Sequence, residues 1–365
     1  MVKWVIAALL GVHGLIHLMG FAKAFGLAEL PQLTDPISRG WGLAWLAAAL
    51  LVLATAVLFT TGVRSYWLVG AVGVVVSQAV IFTAWRDAWA GTILNAILLG
   101  IVVYGWATEG PTSFRAQFLR DGRRGSARSE SGRPLAEADL AGLPDPVRRY
   151  LCATRAIGQP RGRSYHLRFS GRIRSDPGSR WMPFRAEQVS FTDPPARFFL
   201  MRAHMSGIPV EAFHRFVDGH ATMKVKALGL VSIVDARGDV MDRSETVTVF
   251  NDMCLLAPAT LVDPRIQWEE VDSHSVGAKF TIGAHTIDAT LCFDSEGLLT
   301  NFISDDRSRS SPDGRTFTRL RFSTPTRDYR RYGGIRIASH GDARWHLPDG
   351  EFTYGEFEII DVAYS

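Results

Sequence analysis

Four long apolar stretches fill the first part of the chain, and residues of alternating polarity fill most of the remainder. The apolar stretches contain no Asp, Glu, Lys or Arg and are each about 17 to 19 residues long, close to the ~20 that a helix needs to cross a hydrocarbon core of ~30 Å. They are Trp4–Phe21, Gly42–Thr60, Tyr66–Ala84 and Ala90–Trp106. Trp and Tyr lie near several of their ends, as is typical at the boundary between membrane and water. Residues 1–110 are therefore predicted to form a four-helix transmembrane domain.

From Tyr165 onward, the period of the apolar residues changes from 3.6 to 2. Tyr165, Leu167 and Phe169, for example, alternate with His166 and Arg168. This alternation is typical of an antiparallel sheet that has only one face against a core. Turn sequences such as Pro-Asp-Gly separate about ten or eleven strands of this kind. A sheet of that length usually curls or closes.

Two helices accompany the predicted strands. The first begins at Asp145 and ends before Gly158, and the second extends over Asp242–Leu256, with Asp242 and Glu245 forming a capping box. The predicted fold class is α+β. A four-helix transmembrane bundle precedes a soluble, strongly curved antiparallel sheet over residues 135–365, an open half-barrel whose apolar face the two helices cover.

An arginine-rich segment, residues 111–134, joins the two parts and is predicted to be a basic flexible linker. Its arginines are Arg115, Arg120, Arg123, Arg124, Arg128 and Arg133. Because loops on the cytoplasmic side carry an excess of Lys and Arg, we predict a multi-pass protein of the cytoplasmic membrane with its soluble domain on the cytoplasmic side. The segment contains few aromatic residues and directly follows a span. It therefore indicates attraction to anionic lipid headgroups and not to nucleic acid.

Motifs for catalysis and metal binding are missing from the sequence. The three cysteines form no CxxC pair, which fits free thiols in a reducing compartment, although one disulfide plus one thiol stays open. The eight histidines after residue 134 form no HxxxH or HExxH pattern, and GxSxG, P-loop and dinucleotide-binding motifs do not occur. We therefore assign no catalytic residue, no metal site and no cofactor. These absences argue against an enzyme without excluding one.

The first predicted span contains two ionisable side chains. His13 and His17 are four residues apart and project from one face of the helix. Gln78 in the third span and Asn95 in the fourth are their possible polar partners. Ionisable groups inside a membrane are candidates for a metal, haem, proton or quinone site. The commoner role for such groups is to hold neighbouring helices together through hydrogen bonds.

The soluble part is rich in large apolar side chains, most of which are expected to form an ordinary core. A curved sheet covered by helices can also leave an apolar cavity, and Met-lined walls adapt to flexible ligands. The candidate cavity residues are Phe199, Met201, Phe213, Phe250, Met253, Trp268 and Trp345.

Several segments resemble an uncharacterised bacterial family of unknown function. The matching segments include Leu143-Pro-Asp-Pro-Val-Arg-Arg-Tyr-Leu, Val234-Asp-Ala-Arg-Gly and Trp345-His-Leu-Pro-Asp-Gly-Glu-Phe-Thr-Tyr. The order of strands and helices is also similar to that of lipoprotein carriers of the LolA/LolB type, which hold acyl chains between a curved sheet and its helices. This second resemblance rests on topology. Those carriers work outside the cytoplasmic membrane, which is the opposite side from the one that the arginines indicate.

Three hypotheses for the function follow. The first is a membrane-anchored, non-catalytic protein whose β-domain binds a lipid or another apolar ligand. The second is a membrane-embedded redox or metal-linked protein that uses His13 and His17. The third is a sensor or protein-interaction domain on a membrane anchor. The bilayer is the predicted partner in each case, and the sequence identifies no protein partner.

Overall fold

The computed structural model describes residues 2–128, 133–159, 164–311 and 314–365. The chain forms two compact units, Met1–Ala116 and Gln117–Ser365. The first unit contains the helices α1 (Val2–Ala24), α2 (Arg39–Thr61), α3 (Tyr66–Thr83), α4 (Trp85–Ala88) and α5 (Gly91–Glu109). Helices α1, α2, α3 and α5 are long and apolar enough to cross a membrane, as predicted. The side of the membrane on which the second unit lies stays a prediction.

Small residues allow α1 and α2 to approach each other closely. A Cβ atom on Gly20 would overlap the ring of Trp45, and one on Gly14 would lie 2.7 Å from Cγ of Leu53. Any larger side chain at Gly14 or Gly20 would therefore force the contacting side chains of α2 to move. Such small-residue contacts are typical of helices inside a bilayer, where close packing replaces the hydrophobic effect.

Helix α6 (Phe114–Arg128) lies where the sequence predicts a flexible linker. From Gln117 onward it belongs to the second unit, where a Cβ atom on Gly125 would overlap the ring of Phe191. Asp121 also pairs with Arg215 at 3.0 Å. The high arginine content conceals an amphipathic helix, and the prediction of a flexible segment is wrong for these residues. The division at residues 110 and 135 stays a prediction.

The second unit is built on a sheet of thirteen strands in which all neighbours are antiparallel. Its strand order is β6-β5-β4-β3-β2-β1-β15-β14-β13-β10-β9-β8-β7, and β11 and β12 form a separate pair. The strands are β1 (Ser164–Ile173), β2 (Met182–Thr192), β3 (Pro195–Met205), β4 (Ile208–Val217), β5 (His220–Ala227), β6 (Val231–Arg237), β7 (Ile266–Glu270), β8 (Ser275–Ile282), β9 (His285–Phe293), β10 (Leu299–Ser304), β11 (Ser308–Ser310), β12 (Phe317–Arg319), β13 (Phe322–Tyr332), β14 (Ile335–Leu347) and β15 (Gly350–Tyr364).

The predicted half-barrel is wrong in its curvature, because the sheet is neither closed nor strongly curled. Strands β6 and β7 are the two opposite edges, and they are connected in sequence through helix α8 (Asp239–Leu256). This helix lies against strands from both halves of the sheet, including β5, β9 and β14.

Both predicted covering helices exist. Helix α7 (Asp145–Ala153) packs into the main core, where the hydroxyl of Tyr150 donates to the carbonyl of Cys254 at 2.8 Å. In the same core Phe250 stacks on Phe280, with ring centroids 4.8 Å apart. The three cysteines are all free thiols.

The N-terminus of α8 differs from the predicted capping box. The helix begins at Asp239, and its N-cap is Gly238 at a φ of 104°. Asp242 accepts hydrogen bonds from the backbone N–H of Ala221 and from Nδ1 of His220, so it ties the helix to β5. Glu245 turns toward the charged side chains of the sheet. Asp242 and Glu245, which the sequence predicts to cap the helix, therefore bind residues of the sheet instead.

Candidate functional site

One face of α8 carries polar side chains into the interior of the second unit. Glu245, Thr248 and Asp252 follow one another at helical spacing and are all buried. They face strands β2 to β4, whose inward side chains include Arg197 and Gln188. The opposite face of α8, with Phe250 and Met253, belongs to the apolar core.

These residues form a buried ion cluster, defined by Gln188, Arg197, His214, Glu245 and Asp252. Nε of Arg197 donates to Oδ2 of Asp252 at 2.7 Å, and its Nη1 lies 3.5 Å from Oε2 of Glu245. Gln188 donates to Asp252 at 2.7 Å, and Nδ1 of His214 lies 3.1 Å from Oε1 of Glu245. The side chain of Arg197 is 10% exposed and that of Glu245 is 5% exposed. One arginine therefore contacts two carboxyl groups in an almost solvent-inaccessible place.

The charges in the cluster determine its ionisation. Burial by itself would raise the pKa of Glu245, but the positive charge of Arg197 and the hydrogen bond from His214 outweigh burial and lower this pKa to about 2. Burial disfavours the charged form of Arg197, yet Asp252 and Glu245 raise its pKa above the ordinary value. The Arg197–Glu245 pair is thus charged at neutral pH.

Two adjoining cavities lie beside this cluster, between α8 and the sheet. Their volumes are about 130 Å³ and about 380 Å³. Both are lined by Arg197, Phe199, Thr248, Arg307, Tyr354 and Phe357. The larger one also extends along β5 and β6, past Met201 and Met223, to Met241 on α8. Together they offer a mainly apolar space of the size that small-molecule ligands occupy.

The structure separates the predicted cavity residues into three groups. Phe199, Met201 and Trp345 line the larger cavity. Phe250 and Met253 are fully packed in the core, and Trp268 packs against the same core. Phe213 pairs with Leu200 on the opposite face of the sheet, because neighbouring residues of a strand point to opposite sides.

Sequence reasoning missed the ion cluster. Arg197 directly precedes the apolar run Phe198-Phe199-Leu200-Met201, where an arginine is unusual. Glu245 and Asp252 share a face of a predicted helix. The unusual arginine and the shared helical face are the signals that could have marked them. Nothing in the sequence pairs them, since 48 and 55 residues separate the partners.

The four residues predicted for the membrane domain meet in one place. Nε2 of His13 lies 2.9 Å from Oδ1 of Asn95, whose Nδ2 donates to Oε1 of Gln78 at 2.9 Å. Ser77 bonds to Nε2 of His17 at 2.7 Å and donates to Oδ1 of Asn95 at 2.7 Å. We call His13, His17, Ser77, Gln78, Thr92 and Asn95 the membrane polar cluster; Thr92 accepts from Gln78.

This hydrogen-bond pattern determines the tautomers of both histidines. The carbonyl of Asn95 can only accept, so Nε2 of His13 carries its hydrogen. The Ser77 hydroxyl donates to Asn95 and so accepts from Nε2 of His17. Both Nδ1 atoms are then bare acceptors, buried and without a hydrogen-bond partner among the described residues. Within those residues no group of three or more His, Cys, Asp or Glu could hold a metal ion.

Fold and site together define a membrane-associated protein with an α+β domain built on an open antiparallel sheet. The chain belongs to DUF6544, a family of unknown function, whose model matches residues 133–357. This membership agrees with the predicted resemblance to an uncharacterised family. No curated protein matches the chain significantly.

Two solved structures show a distant similarity to part of this chain. One is a putative outer membrane lipoprotein-sorting protein domain from Vibrio parahaemolyticus, with 10% identity and a TM-score of 0.33 over 55% of this chain and 85% of that one. The other is a DUF1329 family protein from Desulfovibrio piger ATCC 29098, with 12% identity and a TM-score of 0.35 over 64% of this chain and 94% of that one.

Proposed function

We propose that this membrane-anchored protein binds a lipid or another apolar ligand in the cavities between α8 and the sheet, without covalent chemistry. The observation that carries this proposal is the pair of adjoining cavities, of about 130 Å³ and 380 Å³, with walls of Phe199, Met201 and Phe357. A bilayer is the nearest abundant source of apolar molecules for a protein with four candidate spans. Flexible methionine side chains adapt to such ligands.

The test uses the full chain in a non-ionic amphipol and the neutral fluorophore N-phenyl-1-naphthylamine, which brightens in apolar surroundings. Ala212 is buried and lines the larger cavity, so Ala212→Phe fills space that the probe needs. We expect this variant to bind the probe about tenfold more weakly, since the probe loses most of its apolar contacts.

Ala363→Phe is the matched control, because Ala363 is exposed on β15. Met201→Phe is a second filling variant at the wall, in case Ala212→Phe does not fold. Equal probe binding by both filling variants, the control and the natural chain would show that the probe does not enter the cavities. The proposal would then be wrong.

A second candidate function uses the membrane polar cluster. The bare, buried Nδ1 atoms of His13 and His17, on rings whose centroids are 4.6 Å apart, are the observation that favours a metal-linked or redox role. A visible haem spectrum or stoichiometric metal in the purified chain would support it. The third hypothesis, a sensor or protein-interaction domain, stays a prediction from the sequence.

A further inference from the structure

The larger cavity has a basic side that the apolar proposal leaves unexplained. Arg174, directly after β1, and Arg307 and Arg309, at β11, all line it. We call these three residues the arginine rim. Arg309 pairs with Asp176 at 2.7 Å, so its charge is compensated. The other two arginines differ from it.

Neither Arg174 nor Arg307 forms an ion pair with a carboxylate in the part of the chain that the structure describes. Arg174 donates from Nε to the carbonyl of Thr353 at 3.0 Å and from Nη1 to that of Pro177 at 2.9 Å. Arg307 donates from Nη1 to the hydroxyl of Tyr354 at 3.1 Å. A guanidinium has five N–H donors, so most of the donors of Arg307 stay available.

Aromatic rings hold these two guanidinium groups in place. The guanidinium of Arg307 lies 4.1 Å from the centroid of Phe322 and 5.4 Å from that of Trp345. That of Arg174 lies 4.4 Å from the centroid of Trp181. Stacking fixes the plane of a guanidinium while leaving its edge free to bind a carboxylate or phosphate in bidentate fashion.

Two features lie near the positive charges of the arginine rim, namely the carboxylate of Glu245 and the aromatic rings. Neither of them neutralises Arg174 and Arg307. The charge of Arg307 helps to lower the pKa of Glu245, but the Glu245 carboxylate already contacts Arg197 and His214. The rings stabilise the cations without neutralising them. Both guanidinium groups are half-buried, so part of their hydration is lost and an anion would replace it.

The other end of the same cavity is apolar and adaptable. Met201, Met223 and Met241 line it together with Val225 and Val234. One cavity therefore joins an apolar end to a basic rim. That combination matches a molecule with an acyl chain and a negatively charged head.

We infer that the ligand is an anionic amphiphile, whose carboxylate or phosphate binds Arg174 and Arg307 while its apolar chain lies along the three methionines. This inference rests on the proposed function and specifies its ligand class. The shared chemistry is a planar or tetrahedral oxyanion on an acyl chain, as in a fatty acid or a phospholipid with a phosphate head.

The test compares a dansyl-labelled undecanoic acid with its methyl ester, using the full chain in non-ionic amphipol. The two probes differ only in the charge of the head. We expect the acid to bind about tenfold more tightly, and Arg307→Gln to remove most of that difference without weakening the ester. Arg307→Lys keeps the charge but loses the fork geometry, so it should recover part of the preference.

Arg331→Gln is the control, because Arg331 is exposed on β13. Competition by palmitate or by lysophosphatidate then identifies a carboxylate or a phosphate head, and either result supports the inference. Equal binding of acid and ester would overturn it, as would competition by inorganic phosphate alone. If the neutral naphthylamine probe still binds in that case, the apolar proposal survives; if it does not, both fail.

Discussion

The two units of this protein bury polar side chains in opposite ways. The membrane polar cluster consists only of neutral side chains, and each takes part in one to three hydrogen bonds of 2.7 to 3.1 Å. The buried ion cluster of the second unit instead pairs the guanidinium of Arg197 with the carboxyl groups of Glu245 and Asp252. The membrane polar cluster joins helices through hydrogen bonds, whereas the buried ion cluster is a network of ion pairs.

The difference teaches how burial limits polar chemistry. A neutral amide or hydroxyl loses modest free energy on burial if it finds one partner. A buried charge loses far more and needs an opposite charge at close range. The second unit holds Arg197 against both Glu245 and Asp252, and removing Arg197 would leave these two buried carboxylates without their common cation.

The strongest test of this comparison is Arg197→Met. The substitution leaves Glu245 and Asp252 buried without their common cation. We expect the free energy of unfolding of the second unit to fall by about 3–5 kcal/mol, as for other broken buried pairs. Urea titration of the full chain in detergent, followed by circular dichroism of the sheet, measures this loss.

Arg168→Met is the matched control on β1. Arg168 also pairs with an aspartate at 2.9 Å, but its side chain is 55% exposed. Such surface pairs contribute about 0–1 kcal/mol. Similar losses in both variants would mean that the buried cluster behaves like a surface pair, and the contrast between the units would disappear.

Acid should weaken the second unit through Glu245. Its pKa in the folded chain is about 2, below the ordinary value of 4.5, so its ionised form is stabilised by folding. This contribution, on the order of 3 kcal/mol, is complete above about pH 4.5 and is lost as the pH falls toward 2. Unfolding midpoints in urea between pH 6 and pH 2.5 should therefore decrease, and the decrease should be smaller in Glu245→Gln.

The control for the pH series is Glu269→Gln, which removes the same charge at an exposed position. Its midpoint should fall with pH as steeply as that of the natural chain. If Glu245→Gln shows the same slope as this control, the stabilisation does not come from the ion cluster.

The sequence predicts the features that depend on local pattern. Charge-free runs identify α1, α2, α3 and α5, because helices of soluble domains do not need so many uninterrupted apolar residues. Alternation identifies strands such as β1 and β9, since a half-buried strand must alternate. The four membrane candidates lie together in the structure, where Nε2 of His13 and Nε2 of His17 each reach a partner on another helix.

Features that depend on distant partners escape such reasoning. Arg197 has no partner that the sequence can identify until folding brings α8 beside it. The curvature of the sheet is equally hard to predict, because it depends on contacts between elements that lie far apart in the sequence, such as those of α8 with β5, β9 and β14. Helix α6 is missed for a local reason, since its arginines conceal the buried pair Phe114 and Phe118, four residues apart.

The smallest expected effect belongs to the membrane polar cluster. Asn95→Ala removes the acceptor for His13 and the donor to Gln78. We nevertheless expect a loss of only about 1 kcal/mol, because neutral groups inside a bilayer find other partners even when helices separate. Ser77, whose hydroxyl lies 3.3 Å from Nε2 of His13, is one such partner. Unfolding of the full chain by dodecyl sulfate, followed by the helical signal, measures this loss.

Leu99→Ala provides the comparison, because Leu99 lies on α5 with its side chain 49% exposed and bonds to nothing in the cluster. A loss for Asn95→Ala that approaches the loss for Arg197→Met would contradict the contrast between neutral and ionic burial. It would mean that the histidines depend on Asn95 for more than packing. Since Asn95 holds the hydrogen of His13 on Nε2, such a result would direct attention to the bare Nδ1 atom that this arrangement leaves inside the bundle.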